Sequence, residues 1–411
     1  MAEAGRGAVG RWLVVCLCLL LALAGGCAAP AAAPTDAAAP EVQALLDRRA
    51  AAVLAHDTDA HLAALDPAAT ALRAAARTEL ANLADVPLSS WSYRLTGLER
   101  GEEGRATARV DLSYRIRGHD SGAVTHARVL ELTERDGRWY VSEDRPGEHT
   151  PQQLWQQGPV RVVQGERSIV MGVGQSVERL RAIAATADTA VPAVSAGWPE
   201  RWAGRLVVLV PASVDAMGGL LGAPAAGYRG IAAVTTGESG GGPDAPADRV
   251  IVNPEAYGVL GEYGQRIVLT HETTHVATRA YTSASTPMWL SEGFADWVAY
   301  RDSARTAAET APELHDAVHS GAAPAALPED ADFSFTGNAD ALARAYEGGW
   351  LACELIAERW GEPKLAAFYR AVGAHPSRAG AVEKAMDTVL STTPERFTAD
   401  WRQYVRERLG R

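Results

Sequence analysis

The sequence predicts an α+β protein built as two successive units, and three observations carry that reading. Helical apolar spacing near the start gives way to four alternating stretches, which end at Arg145-Pro146-Gly147. A second alternation begins at Val160, and after Asn253 the chain reads almost entirely helical to Arg411. At 411 residues the chain is also longer than one ordinary hydrophobic core supports. Sheet first and helices afterwards is α+β order.

In the first unit, residues 41–150, Val42, Leu45, Leu46, Ala50 and Val53 recur at helical spacing. A second helical run covers Pro67 to Leu83. Strands are expected in SSWSYRLTGLER, GRATARVDLSYRIRG, VTHARVLELTERDG and RWYVSED, with Asp136-Gly137 as a hairpin turn. Two helices and a curled antiparallel sheet resemble the cone-shaped fold of the nuclear-transport-factor type, which implies an auxiliary domain. His56, His61, His119 and His126 show no metal-like pairing and are expected at the surface. In the second unit, residues 158–411, Val160–Val163 and Ser168–Met171 alternate as strands, and Ser176 opens a helix. Short strands are expected at Arg205–Val210, Tyr228–Thr235 and Arg249–Val252, the last two flanking an exposed Gly-rich loop.

Residues 1–40 fall outside both units. Arg6 and Arg11 precede 13 apolar residues, Trp12 to Ala24, too few for a spanning helix and suited to a secretory leader. Ala24-Gly25-Gly26-Cys27 then resembles the lipobox of bacterial lipoproteins, which implies cleavage after residue 26 and a lipid on Cys27. Residues 27–40, rich in Ala and Pro, read as a tether. The protein is thus expected outside the cytoplasm on the bacterial membrane, or secreted if Cys27 carries no lipid. Cys353, in the helical pattern GGWLACELIAERW, is expected to be buried and inert. A net charge of −11 argues against nucleic acid as a partner, and four cysteines exclude a disulfide scaffold.

The motif richest in chemistry is His271-Glu272-Thr273-Thr274-His275. Four residues apart on a helix, both imidazoles can reach one ion, and Glu272 projects beside that face where it can act on water. Sixteen residues intervene before Glu292 in Met288-Trp289-Leu290-Ser291-Glu292-Gly293-Phe294-Ala295-Asp296. Two histidines and a carboxylate are one ligand set of a catalytic zinc. Asp296, four residues after Glu292, can accept the other ring N–H of a ligating histidine.

These residues resemble the gluzincin peptidases. The resemblance implies a small β-sheet with a mainly helical C-terminal half, one Zn²⁺ held by His271, His275 and Glu292, and Glu272 as general base. Thermolysin-type members place an aspartate four residues after the ligand glutamate, as Asp296 stands here. The alanyl aminopeptidase type carries Trp-Leu-Asn-Glu-Gly-Phe-Ala where this chain has Trp289 to Ala295. In that type a tyrosine before Glu-Lys-Gly supports the oxyanion, which points to Tyr346, with Tyr281 as substitute; Gly348 replaces the lysine. The Gly-x-Met-Glu-Asn strand that grips a free amine has no match, since Arg229 to Thr235 holds no acid. An apolar edge strand there would suit an extended peptide or protein substrate.

His315 and His319 repeat the four-residue spacing without a neighbouring glutamate and read as a solvated helix face. Gly172-Val173-Gly174 lacks the third glycine of a dinucleotide fingerprint. The expected function is therefore zinc-dependent peptide hydrolysis. The alternative is a lipid-tethered envelope binding protein whose metal site is structural or vestigial.

Overall fold

The computed structural model describes Val15–Leu17 and residues 36–237, 245–334 and 338–410. The remainder of the leader, Cys27 and the first part of the tether lie outside the described residues. Val15–Leu17 forms a short strand, β1. The chain continues with α1 (Ala39–Leu54), α2 (Thr58–Ala63) and α3 (Thr70–Asn82). The apolar stripe of α1 is buried as its spacing predicts. Helix α2 was not foreseen; Asp57 caps it by accepting from the Ala60 N–H at 2.9 Å. It carries His61 inward to 5% exposure, which corrects the surface placement expected for that histidine.

Strands β2 (Leu88–Arg100), β3 (Arg105–Ile116), β4 (Val124–Arg135) and β5 (Arg138–Pro146) pair antiparallel in sequence order. Asp136 and Gly137 take φ of 51° and 69°, the pair of positive values a two-residue hairpin turn needs. Alternate residues of β3 from Ala106 to Ile116 are buried against the helices, including Val110, Leu112 and Tyr114.

A turn, Leu154–Gln156, with Leu154 and Trp155 buried, leads into β6 (Val160–Gln164), β7 (Ser168–Val173), α4 (Val177–Gly197), β8 (Leu206–Val210), α5 (Val214–Leu221), β9 (Ile231–Thr236) and β10 (Arg249–Val252). These strands form a mixed sheet in the order β1-β9-β10-β8-β7-β6. Strands β7, β8 and β10 run parallel, while β6 and β9 are antiparallel to their neighbours β7 and β10. All six residues of β7 are buried, and after Ser168 the strand carries no polar side chain. One face, with Val170, Val208 and Val250, packs on α4 and on the helix that holds the metal motif. The other, with Ile169, Val207 and Ile251, joins the core of the first sheet.

A buried ion pair ties the two sheets. Arg249 of β10 donates to both carboxylate oxygens of Asp120, at 2.7 and 2.9 Å, and the Asp120 side chain has no exposure. The same carboxylate accepts from the Ile116 and Ala247 N–H groups.

The helical half comprises α6 (Pro254–Gly258), α7 (Glu262–Thr278), α8 (Met288–Tyr300), α9 (Ala307–Thr310), α10 (Pro312–His319), α11 (Ala339–Trp360), α12 (Glu362–Gly373), α13 (Ala381–Ala385) and α14 (Pro394–Leu409). Its core gathers Trp198, Phe294, Trp297, Tyr369, Phe397 and Trp401. The architecture is α+β, with a mainly helical C-terminal half as expected. No described helix is long and apolar enough to cross a membrane.

Candidate metal centre

Helix α7 buries a polar run, residues 270–275, between the mixed sheet and α8. Hydroxyls make that burial tolerable. Thr273, Thr274 and Thr278 each donate to the carbonyl four residues earlier, at 2.5, 2.9 and 3.0 Å. His271 and Glu272 are fully buried, and His275 is 5% exposed.

Helix α8 brings Glu292 to the pair. His271 Nε2 lies 2.9 Å from His275 Nε2 and 3.2 Å from Glu292 Oε2, while His275 Nε2 stands 3.6 Å from the same oxygen. All three ligand atoms lie within 4.8 Å of one another, the only such metal-ligand group found among the described residues. Glu292 Oε1 is buried with no hydrogen-bond partner. Two imidazole nitrogens, a carboxylate and an orphaned acceptor suit a zinc ion. His271 Nδ1 donates to Asp296 Oδ1 at 2.7 Å, which orients the ring so that Nε2 faces the centre.

The electrostatics follow from this crowding. Burial would raise the Glu292 carboxyl, yet the imidazoles of His275 and His271 hold it down at about 2. Burial lowers His275 to about 4. Burial also opposes charge on His271, but Asp296 and Glu292 outweigh it and hold that ring well above its usual value. The Glu272 carboxyl is pushed up to about 7 by burial, with His271 and Thr235 pulling the other way.

Thr235 is a partner the sequence reading missed. From β9 its hydroxyl donates to Glu272 Oε2 at 2.5 Å, and the side chain has no exposure. What β9 contributes to the site is a hydroxyl and not an acid. Past α7, Arg279 donates to Asp248 at 3.1 Å.

The two candidate tyrosines each pack against an aromatic ring. Tyr346 is buried in α11 with its ring 5.2 Å from Phe333, edge-on. Tyr281 packs edge-on against Trp198 at 5.4 Å. Glu347 accepts from the Glu313 and Leu314 N–H groups at the start of α10, and burial pushes its carboxyl to about 9. The rings of His315 and His319 lie 4.2 Å apart, tilted to each other, without a third ligand among the described residues.

Glycine explains how α8 and α11 approach. Gly293 follows Glu292 directly, and a methyl there would stand 2.2 Å from the Gly349 carbonyl oxygen. A methyl on Gly349 would stand 2.7 Å from the Trp289 oxygen.

No family model and no curated protein matches this chain. Among solved structures, yeast LTA4 hydrolase is similar over 69% of this chain and 44% of its own, at 14% identity and a TM-score of 0.37. An M1 zinc metallopeptidase from Deinococcus radiodurans is similar over 73% of this chain and 60% of its own, at 14% identity and a TM-score of 0.32. A SEC-C motif containing protein from Rhodopseudomonas palustris is covered over 98% of its length by 28% of this chain, at 18% identity and a TM-score of 0.20. The chain spans less than two thirds of the length of either of the first two.

Proposed function

We propose that this chain is a zinc-dependent metallohydrolase that cleaves peptide bonds, held outside the cytoplasm by a lipid on Cys27. The observation that carries the reading is the convergence of His271, His275 and Glu292 with a buried Glu272 beside them. Zinc held there supplies a Lewis acid that polarises a carbonyl and acidifies water. Glu272 takes the proton of the attacking water and passes it to the leaving nitrogen. Thr235 fixes the rotation of that carboxylate through its 2.5 Å hydrogen bond. Asp296 fixes the tautomer of His271. Tyr346 is the phenol assigned to the carbonyl oxygen as it gains charge, with Tyr281 as substitute.

Elemental analysis of the purified chain should return one zinc per molecule, and a diverse peptide mixture should be cleaved. Glu272→Gln should keep the zinc and lose hydrolysis, whereas His275→Ala should lose both. A Glu272→Gln protein with full activity would remove the general base. Zinc-free wild type would remove the whole site.

A further inference from the structure

Helix α7 closes on a charged residue that the metal motif does not use. Arg279 follows His275 by four residues and His271 by eight, so the three share one face of the helix. It is 9% exposed, and its Nε donates to Asp248 Oδ2 at 3.1 Å. A cation suits a helix C-terminus, and a buried guanidinium needs an acceptor. Its charge also reaches the centre: after burial and the site's own groups, Arg279 is among the causes that lower both Glu272 and His275.

Asp248 is held from several directions. Its neighbours Ala247 and Arg249 both donate to Asp120 of the N-terminal unit, from the Ala247 N–H at 3.1 Å and the Arg249 guanidinium at 2.7 and 2.9 Å. Gly237, directly after β9, leaves room for its carboxylate, since a methyl there would stand 1.5 Å from Asp248 Oδ1. Arg249 and Val250, the next two residues, pair with Thr236 and Thr235 of β9. Thr235 is the donor to Glu272. The β9–β10 junction therefore meets α7 twice, at Glu272 through Thr235 and at Arg279 through Asp248, and His275 lies between the two contacts in sequence. Contacts on either side of His275 resist rotation and fraying of the last turn, where a helix opens most easily.

We propose, on the zinc reading given above, that Arg279 is a positioning residue of the metal centre and acts through Asp248. The pair seats the last turn of α7 so that His275 stays aligned with His271 and Glu292. Because Asp120 holds the chain on both sides of Asp248, the N-terminal unit is part of that seat.

The whole chain is assayed for zinc affinity by chelator competition, and for kcat and KM at saturating zinc on a peptide that wild type cleaves. Asp248→Ala and Arg279→Met break the contact from either side. Each should weaken zinc binding and lower kcat at least about tenfold, with KM within about threefold, as expected of groups that orient a metal ligand. Arg279→Lys can still donate to Asp248 and should recover most of both losses. Gly237→Ala deletes no group, yet its methyl displaces the Asp248 carboxylate. It should repeat the Asp248→Ala pattern and guards against a variant that fails to fold. Joining Asp248→Ala to Arg279→Met should cost no more than the worse single change, because both act through one contact.

Folded Asp248→Ala and Arg279→Met proteins with wild-type zinc affinity and kcat overturn the proposal. So do a silent Gly237→Ala, an Arg279→Lys no better than Arg279→Met, or losses that add in the double variant. Failure of the zinc reading looks different. Wild type that holds zinc without cleaving peptides ends the hydrolysis reading, and zinc affinity alone then decides the role of Arg279. Wild type that holds no zinc leaves nothing to position and overturns both.

Discussion

Gly293→Ala is the substitution whose consequence the structure specifies best. The added methyl would stand 2.2 Å from the Gly349 oxygen, 2.3 Å from its carbonyl carbon and 2.9 Å from its Cα. All three are backbone atoms of α11, so no side chain can swing aside. Non-bonded contacts settle near 3.5 Å, hence the two helices must part by about 1 Å. Forced overpacking of this kind costs about 1–3 kcal/mol. The same movement carries Glu292, the adjacent residue, away from His271 and His275. A misplacement of about 1 Å in a catalytic arrangement costs about 10²-fold in rate. Three readings check this: the unfolding midpoint, zinc affinity by chelator competition, and peptide hydrolysis. All three should fall, and Gly349→Ala should be milder because its methyl meets backbone at 2.7 Å. Gly227→Ala, with nothing within 4 Å, should be silent. A Gly293→Ala protein with unchanged midpoint and zinc affinity would refute the seating of α8 on α11.

Other expectations rest on single contacts. Thr235→Val removes the donor to Glu272 at nearly constant volume; hydrolysis should fall about 10- to 100-fold with zinc retained, and Thr235→Ser should restore it. Equal rates for Val and Ser would show that the hydroxyl positions nothing. Asp120→Ala leaves the Arg249 charge buried and unpaired, which should cost about 3–5 kcal/mol in denaturant unfolding. His61 titrates near 4 when folded and near 6.5 when not, because burial disfavours its charged form. Its contribution is complete above pH 6.5 and lost as pH falls towards 4, by at most about 3 kcal/mol. His61→Gln should flatten that acid limb of the stability curve, and an unaltered slope would contradict the burial.

The candidate ligands were legible helix by helix, because spacing within a helix is a local matter. Residues four apart on a helix share a face whatever surrounds it, so His271 with His275, and Glu292 with Asp296, could be placed in pairs. Strand alternation and the Asp136-Gly137 turn were legible for the same reason. Contacts across long separations were not. Asp120 and Arg249 are 129 residues apart, and no periodicity announces their pairing. Thr235 meets Glu272 only because β9 runs beside α7 in a sheet whose strand order departs from chain order. His61 looked like any polar residue of a short segment until α2 closed over the first sheet. Gly293 was read as part of a resemblance; its physical reason is the backbone of α11 on the far side.

Cys353 lies in α11, one turn beyond Gly349, with no exposure. Burial and the nearby Asp296 carboxylate hold its thiol well above the usual range, so it stays protonated and shielded. An alkylating reagent can therefore reach it only while α11 stands away from its neighbours. The chain thus carries its own clock for local opening: the modification rate at this sulfur, located by mass spectrometry, reports the free energy of that excursion. Any ligand that clamps the helices together slows the clock in proportion to its occupancy.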